Sequence, residues 1–136
     1  CASALEEKVR ACARATVSSP PAISQAVVSG GLASADLEGE RLKILDALRG
    51  RYRMLRDNVE ELSLPAWPFN AGFFALIRCE NADAEQVRRQ LLARGVGVVA
   101  FPAVKAIRLV YASVPLDSIP ELAQEVHNVL RGKALN

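Results

Sequence analysis

The feature that most constrains the fold is a long run of helical periodicity from about Ala35 to Leu62. Its apolar residues recur every three or four positions, which places them on one face of an α-helix. They are Leu45, Leu48, Tyr52, Leu55, Val59 and Leu62. Such a helix spans roughly 40 Å at ~1.5 Å per residue, more than a compact domain of this size needs. We therefore predict a helix that connects two domains. A coiled-coil segment is the alternative, although the apolar repeat is short for one.

Two shorter helices are predicted before this run. Residues 3–17 carry apolar side chains at helical spacing, and Pro20 and Pro21 then separate this helix from the next. A residue before proline is disfavoured in the helical conformation, whereas proline suits a first helical turn. We expect the second helix to stop at Gly30-Gly31, because glycine commonly ends helices.

After Leu62 the pattern changes to strand, helix, strand, strand and helix. Apolar runs predict strands near residues 72–77, 96–101 and 106–113, the first of them buried. Residues 83–94 predict a helix with Asp83 or Asn81 as its cap and Gly95 as its end. The last helix is expected to begin near Asp117 or Pro120.

Composition excludes several classes of protein. Hydrophobic residues make up 51% and charged residues 24% of the chain, which is ordinary for a folded domain. The net charge of +2 comes from scattered basic residues, so neither nucleic acid nor a membrane surface is an expected partner. No apolar run approaches the ~20 residues of a membrane span, and no signal peptide is recognisable. We expect a cytoplasmic protein.

The cysteines and the single histidine predict neither a metal site nor catalysis. Cys1, Cys12 and Cys79 form no CxxC pair, and with His127 they are too few for a zinc site. We expect Cys12 and Cys79 to be small buried residues, and His127 to be partly buried on the last helix. No nucleophile and base can be assembled from these residues, so no catalytic residue is predicted.

One charged residue interrupts an otherwise apolar strand. Arg108 stands in Ala-Ile-Arg-Leu-Val-Tyr, and burying a guanidinium without a partner is very costly. Arg108 therefore either lies at a solvent-facing edge or points into a cleft that receives an anion. The planar fork of an arginine suits bidentate binding of a carboxylate.

The order of three segments resembles a known family. They begin Asn70-Ala-Gly-Phe-Phe, Gly95-Val-Gly-Val-Val and Ile107-Arg-Leu-Val-Tyr, and a helix beginning Ile119-Pro-Glu-Leu closes the series. This series is similar to the small C-terminal domain of class I/II, fold-type I, aminotransferases that depend on pyridoxal phosphate (PLP). The resemblance implies an α+β, two-layer fold: a mixed or antiparallel sheet covered by helices, preceded by a long connecting helix. It also implies that Arg108 binds the substrate's α-carboxylate.

A second match lies near the N-terminus. The stretch Arg14-Ala-Thr-Val-Ser-Ser-Pro-Pro is similar to one that follows the PLP lysine in aspartate-type aminotransferases. The resemblance implies a homodimer in which Arg14 binds the side-chain carboxylate of a dicarboxylic substrate in the neighbouring subunit. Ser18 would help to hold the neighbour's PLP phosphate. From the residues alone, Arg14 is equally explained as a cation at a helix C-terminus.

The resemblance assigns residues 1–35 to the tail of a large PLP domain. Residues 36–63 become the interdomain helix, and residues 64–136 the small domain. The family's PLP lysine and glycine-rich cofactor loop have no counterpart, and the four lysines stand in none of the expected settings: Lys8, Lys43, Lys105 and Lys133. Since the chain starts at Cys1 rather than methionine, we expect a fragment that binds no PLP and is inactive alone.

The intact parent would move an amino group between an amino acid and a 2-oxo acid. This part would bind the substrate carboxylate and form a mobile lid. The alternative is a standalone α+β interaction or dimerisation module derived from such a small domain.

Size-exclusion chromatography distinguishes the fragment from the module. As a fragment, the isolated chain should self-associate, because apolar residues within 5–33 would lack their covering domain. A clean monomer at every concentration tested would instead favour the standalone module.

Overall fold

The computed structural model describes residues 2–18, 21–70 and 72–132. The chain divides into two compact units, Cys1–Leu42 and Lys43–Asn136. The predicted domain boundaries at 35/36 and 63/64 stay predictions. Ser19 and Pro20, where the predicted break falls, lie outside the described residues, as does Lys133.

The first unit is helical. Helix α1 spans Ala2–Thr16 and α2 spans Ala22–Ala33, while α3, Leu37–Glu61, begins in this unit. The predicted stop of α2 at Gly30-Gly31 is wrong. The helix continues through both glycines and ends at Ser34, whose N–H donates to the Gly31 carbonyl at 3.1 Å. A mid-helix glycine costs only ~1 kcal/mol, and Leu32 and Ala33 after the pair favour helix.

No side chain described within residues 3–18 and 21–42 is buried. The apolar helix α2 shows this most clearly, since Ile23 is 80% and Leu32 is 70% exposed. The prediction that Cys12 is buried is also wrong: it lies on α1 and is exposed, because no described residue of this unit provides a core. This exposed apolar surface is what the predicted self-association requires.

The second unit is built around a three-stranded antiparallel sheet. Its strands are β1 (Phe74–Arg78), β2 (Val99–Phe101) and β3 (Ala106–Val110), in the order β1-β3-β2. The helices of this unit are the later part of α3, α4 (Ala84–Ala93) and α5 (Ile119–Leu130). The 3₁₀ turns Pro102–Val104 and Leu116–Ser118 precede β3 and α5. The α+β prediction is confirmed, with an antiparallel rather than a mixed sheet.

One face of the sheet forms the core. Ala75, Ile77, Ile107 and Leu109 are buried on that face, and Leu55 of α3 belongs to the same cluster. The helices contribute further buried residues to it: Val87, Leu91, Ile119, Ala123 and Val126. The predicted fully buried first strand is therefore wrong in part. Phe74 and Arg78 of β1 are exposed, because side chains alternate along a strand.

The ends of α4 follow the sequence signals. Asp83 caps the helix by accepting a hydrogen bond from the Gln86 N–H at 2.9 Å, as predicted. Gly95 follows the helix with φ of 81°, in the left-handed region that glycine adopts without strain. Cys79 is buried and His127 is half-buried, which confirms both of these predictions.

Replacing Ile107 tests which face of the sheet is the core. Ile107→Ala should lower the free energy of unfolding by about 2–5 kcal/mol, because it opens a cavity in a fully buried position. The matched control is Val99→Ala, because Val99 is exposed on the face of the sheet opposite the core. This change should lower the free energy of unfolding by less than about 1 kcal/mol. Urea denaturation followed by circular dichroism measures both. Equal losses would contradict the one-sided core.

Candidate functional site

Arg108 lies at the centre of the sheet. It is the middle residue of β3, the central strand, and its register partners are Leu76 on β1 and Val99 on β2. Directly paired residues point to the same face, so Arg108 stands on the face opposite Ile107 and Leu109. The solvent-facing edge position considered from the sequence is thereby excluded.

Two phenyl rings flank the Arg108 guanidinium. Its central carbon, Cζ, lies 5.3 Å from the ring centroid of Phe74 and 5.7 Å from that of Phe101. Phe74 is two residues from Leu76 on β1, and Phe101 is two residues from Val99 on β2. The rings therefore approach from diagonal positions on opposite neighbouring strands, within the range of cation–π attraction. We call Phe74 and Phe101 the phenyl pair.

The Arg108 side chain has no polar partner within the described part of the chain. Its Nε atom is buried and forms no hydrogen bond there, and no ion pair involves the guanidinium. A buried donor without a partner costs about 1–3 kcal/mol, more for a charged group. Cation–π attraction offsets part of that cost, because each ring supplies about 0.5–2 kcal/mol. Arg108 thus keeps a permanent positive charge, and these residues leave its N–H donors unused.

A tight turn holds β2 close to β3. Phe101 is followed directly by the 3₁₀ turn Pro102–Val104, and Lys105 closes the turn in a left-handed conformation with φ of 47°. The Lys105 N–H donates to the Pro102 carbonyl at 3.0 Å. The turn ends β2 at Phe101, which fixes that ring beside the arginine.

Arg14 and Ser18 belong to the first unit, whereas Arg108 belongs to the second. Arg14 occupies the last turn of α1, and Ser18 follows the helix with φ of 59°. Both side chains are exposed. A guanidinium and a hydroxyl are groups that can bind a carboxylate and a phosphate, so the chemistry of these two residues fits the implied roles. The roles toward a neighbouring subunit that the resemblance implies for Arg14 and Ser18 stay predictions.

The other reactive groups do not add to this site. Burial raises the pKa of the Cys79 thiol, and the Asp83 carboxylate raises it further, so Cys79 is a poor nucleophile. Among the residues described, no group of His, Cys, Asp and Glu could hold a metal ion. No described helix is long and apolar enough to cross a membrane.

A surface pocket near Cys79 lies apart from Arg108. Its lining includes Ser63, Arg78, His127 and Arg131. The charge of Arg78 is already paired with Glu80 at 3.2 Å. Neither geometry nor charge at this pocket indicates a reaction.

The sequence pattern matches a family model. The model for aminotransferases of class I and II matches residues 1–126 of the chain. The chain belongs to this family. A search of curated proteins found no match.

Solved aminotransferases share the fold of this family member. An aminotransferase from Anaerococcus prevotii is 22% identical with a TM-score of 0.74, over 92% of this chain and 30% of that one. A mutant aspartate aminotransferase of Thermus thermophilus is 23% identical, with a TM-score of 0.71, over 88% of this chain and 34% of that one. An archaeal alanine:glyoxylate aminotransferase is 22% identical, with a TM-score of 0.74, over 89% of this chain and 33% of that one. The chain therefore spans about a third of these enzymes.

The phenyl pair was missed in the sequence, although both rings lie within the segments that carry the resemblance. Phe74 is the last residue of the Gly-Phe-Phe sequence and the first of β1, and Phe101 closes the run Gly95–Phe101. The missing information was the register: only the pairing of Leu76 and Val99 with Arg108 places both rings beside the guanidinium. Aromatic residues at alternate positions on both neighbours of an arginine strand were the available signal.

Alkylation should separate the two described thiols. Native chain treated with iodoacetamide at pH 8 should be modified at exposed Cys12 quickly and at Cys79 only slowly, because Cys79 is buried and its pKa is raised. Mass spectrometry of peptides gives each rate, and denatured chain is the control in which both react. Equal rates in the native chain would show that the thiol of Cys79 is accessible.

Proposed function

We propose that this chain is the C-terminal portion of a PLP-dependent aminotransferase that moves an amino group between an amino acid and a 2-oxo acid. Family membership and the shared fold support this proposal. The family implies PLP for the whole enzyme, and we assign the residues described here to substrate binding rather than to cofactor chemistry. Amino-acid and 2-oxo-acid substrates both carry a carboxylate, so a carboxylate site is what such a chain must contribute.

Arg108 is the residue that we assign to the substrate carboxylate. This assignment rests on the geometry of Arg108. The residue is a permanent cation at the centre of the sheet, on the face opposite the core, and it has no polar partner among the described residues. A carboxylate would supply the missing acceptors through charge-assisted hydrogen bonds. Because Nε is buried, the carboxylate would meet the two terminal nitrogens, Nη1 and Nη2.

A fixed carboxylate orients the rest of the substrate. Holding a reactant in its reacting geometry removes much of the entropic part of an activation barrier. We further propose that the second unit moves as a lid when Arg108 takes up the carboxylate, which would exclude water from the reaction. Arg14 and Ser18 would act in the neighbouring subunit of a homodimer, toward a second substrate carboxylate and the cofactor phosphate. Their exposure on the first unit is compatible with such a role.

The test of the carboxylate site is Arg108→Ala in the full-length enzyme. Each hydrogen bond between charged groups contributes about 1.5–3 kcal/mol, and two such bonds would be lost, so kcat/KM for the amino acid should fall by at least about 100-fold. Most of that loss should be a higher KM. Steady-state kinetics with several amino donors measure the effect.

The matched control is Arg53→Ala. Arg53 is an exposed arginine of α3, and its removal changes the net charge equally without touching the sheet. It should leave kcat/KM within about twofold, as expected for an exposed surface site. If the two variants behave alike, Arg108 does not bind the substrate.

A further inference from the structure

We propose that Phe101, together with Phe74, is a positioning residue for Arg108: the phenyl pair holds the guanidinium in place while leaving its donors to a carboxylate. The proposal rests on the proposed role of Arg108 only for the identity of the ligand. The positioning itself depends on contacts within the second unit.

No polar group among the described residues fixes the Arg108 guanidinium. Within the described residues, Arg108 forms neither a side-chain hydrogen bond nor an ion pair, and its Nε is buried. An arginine side chain loses considerable rotamer freedom when it is immobilised. If that freedom persisted in the free protein, binding a ligand would have to remove it, which weakens affinity.

The two rings can restrict the guanidinium without using its donors. They lie 5.3 and 5.7 Å from Cζ and come from different strands, so the guanidinium is attracted from two directions. The attraction acts on the charge through the ring face and occupies no N–H group. A carboxylate from the protein would hold the arginine more firmly, but it would compete with the ligand for the same donors.

The backbone around Phe101 fixes the position from which its ring extends. The residue ends β2, pairs with Ala106, and is followed at once by Pro102 and the 3₁₀ turn. Ala106 is fully buried, so this end of the strand pair is shielded from solvent. Phe101 itself is 38% exposed, and replacing its ring therefore leaves the core intact.

The experiment measures the mobility of Arg108 in the 136-residue chain. Nitrogen-15 relaxation of the arginine Nε–Hε groups is compared in the wild type, Phe101→Leu and Phe101→Tyr. Leucine keeps an apolar side chain but removes the ring face, whereas tyrosine keeps the ring. The Arg108 Nε–Hε signal should be rigid in the wild type and Phe101→Tyr. In Phe101→Leu it should become mobile and lose the part of its ring-current shift that Phe101 supplies.

The matched control is Phe73→Leu. Phe73 is a 61% exposed phenylalanine next to Phe74, and its ring is not one of the two that flank Arg108. Backbone spectra establish that each variant is folded. A signal of equal rigidity in folded Phe101→Leu and wild type would overturn the proposal.

Titration with pyruvate, a small 2-oxo acid, separates the two proposals. Pyruvate should shift the Arg108 signal in the wild type, and its affinity should fall about tenfold in Phe101→Leu, equivalent to about 1.4 kcal/mol. Mobility that depends on Phe101 without any pyruvate shift would leave the positioning role intact and contradict the carboxylate site. Equal pyruvate affinity and equal Arg108 rigidity in wild type and Phe101→Leu would support the site and refute the positioning role.

Discussion

The placement of β3 between two antiparallel neighbours is the constraint on which the rest of the second unit depends. It gives every side chain of β3 one of two environments. Ile107 and Leu109 enter the core with the helices, whereas Arg108 stands on the other face between Leu76 and Val99. A shift of the register by one residue would exchange these faces and bury the guanidinium among aliphatic side chains. The burial of Ile107 and Leu109 therefore also determines which face of the sheet carries Arg108.

The family resemblance implied the α+β fold with a mixed or antiparallel sheet. Periodicity in the sequence was enough to predict the helices and the order of helices and strands, because those patterns report which side of each element is buried. It failed where burial depends on residues far away in the sequence. Cys12 looks like a core residue on an amphipathic helix, yet the described residues of its unit offer nothing to pack against. Gly30 and Gly31 look like a helix end, yet local propensity lets α2 continue for two residues beyond them.

For the site, the sequence identified the arginine but not its surroundings. Arg108 was conspicuous because a charge in an apolar strand conflicts with the local pattern, and such conflicts often mark functional positions. The phenyl pair causes no conflict, since phenylalanine is common in strands. Its significance appears only when β1 and β2 are aligned on β3, which requires the register of the whole sheet.

The half-buried arginines of the second unit differ in how their charges are satisfied. Arg94 pairs with Glu125 at 2.8 Å, and Arg51 donates to the Val114 carbonyl at 2.9 Å. These contacts tie α4 to α5 and α3 to the loop before α5, so they explain both arginines as structural. Arg108 has two aromatic faces in place of a carboxylate or carbonyl. A stabilising arginine needs an acceptor, and a binding arginine needs its donors left open. The aromatic surroundings meet the second requirement, which is why we propose the carboxylate role for Arg108 rather than for its neighbours.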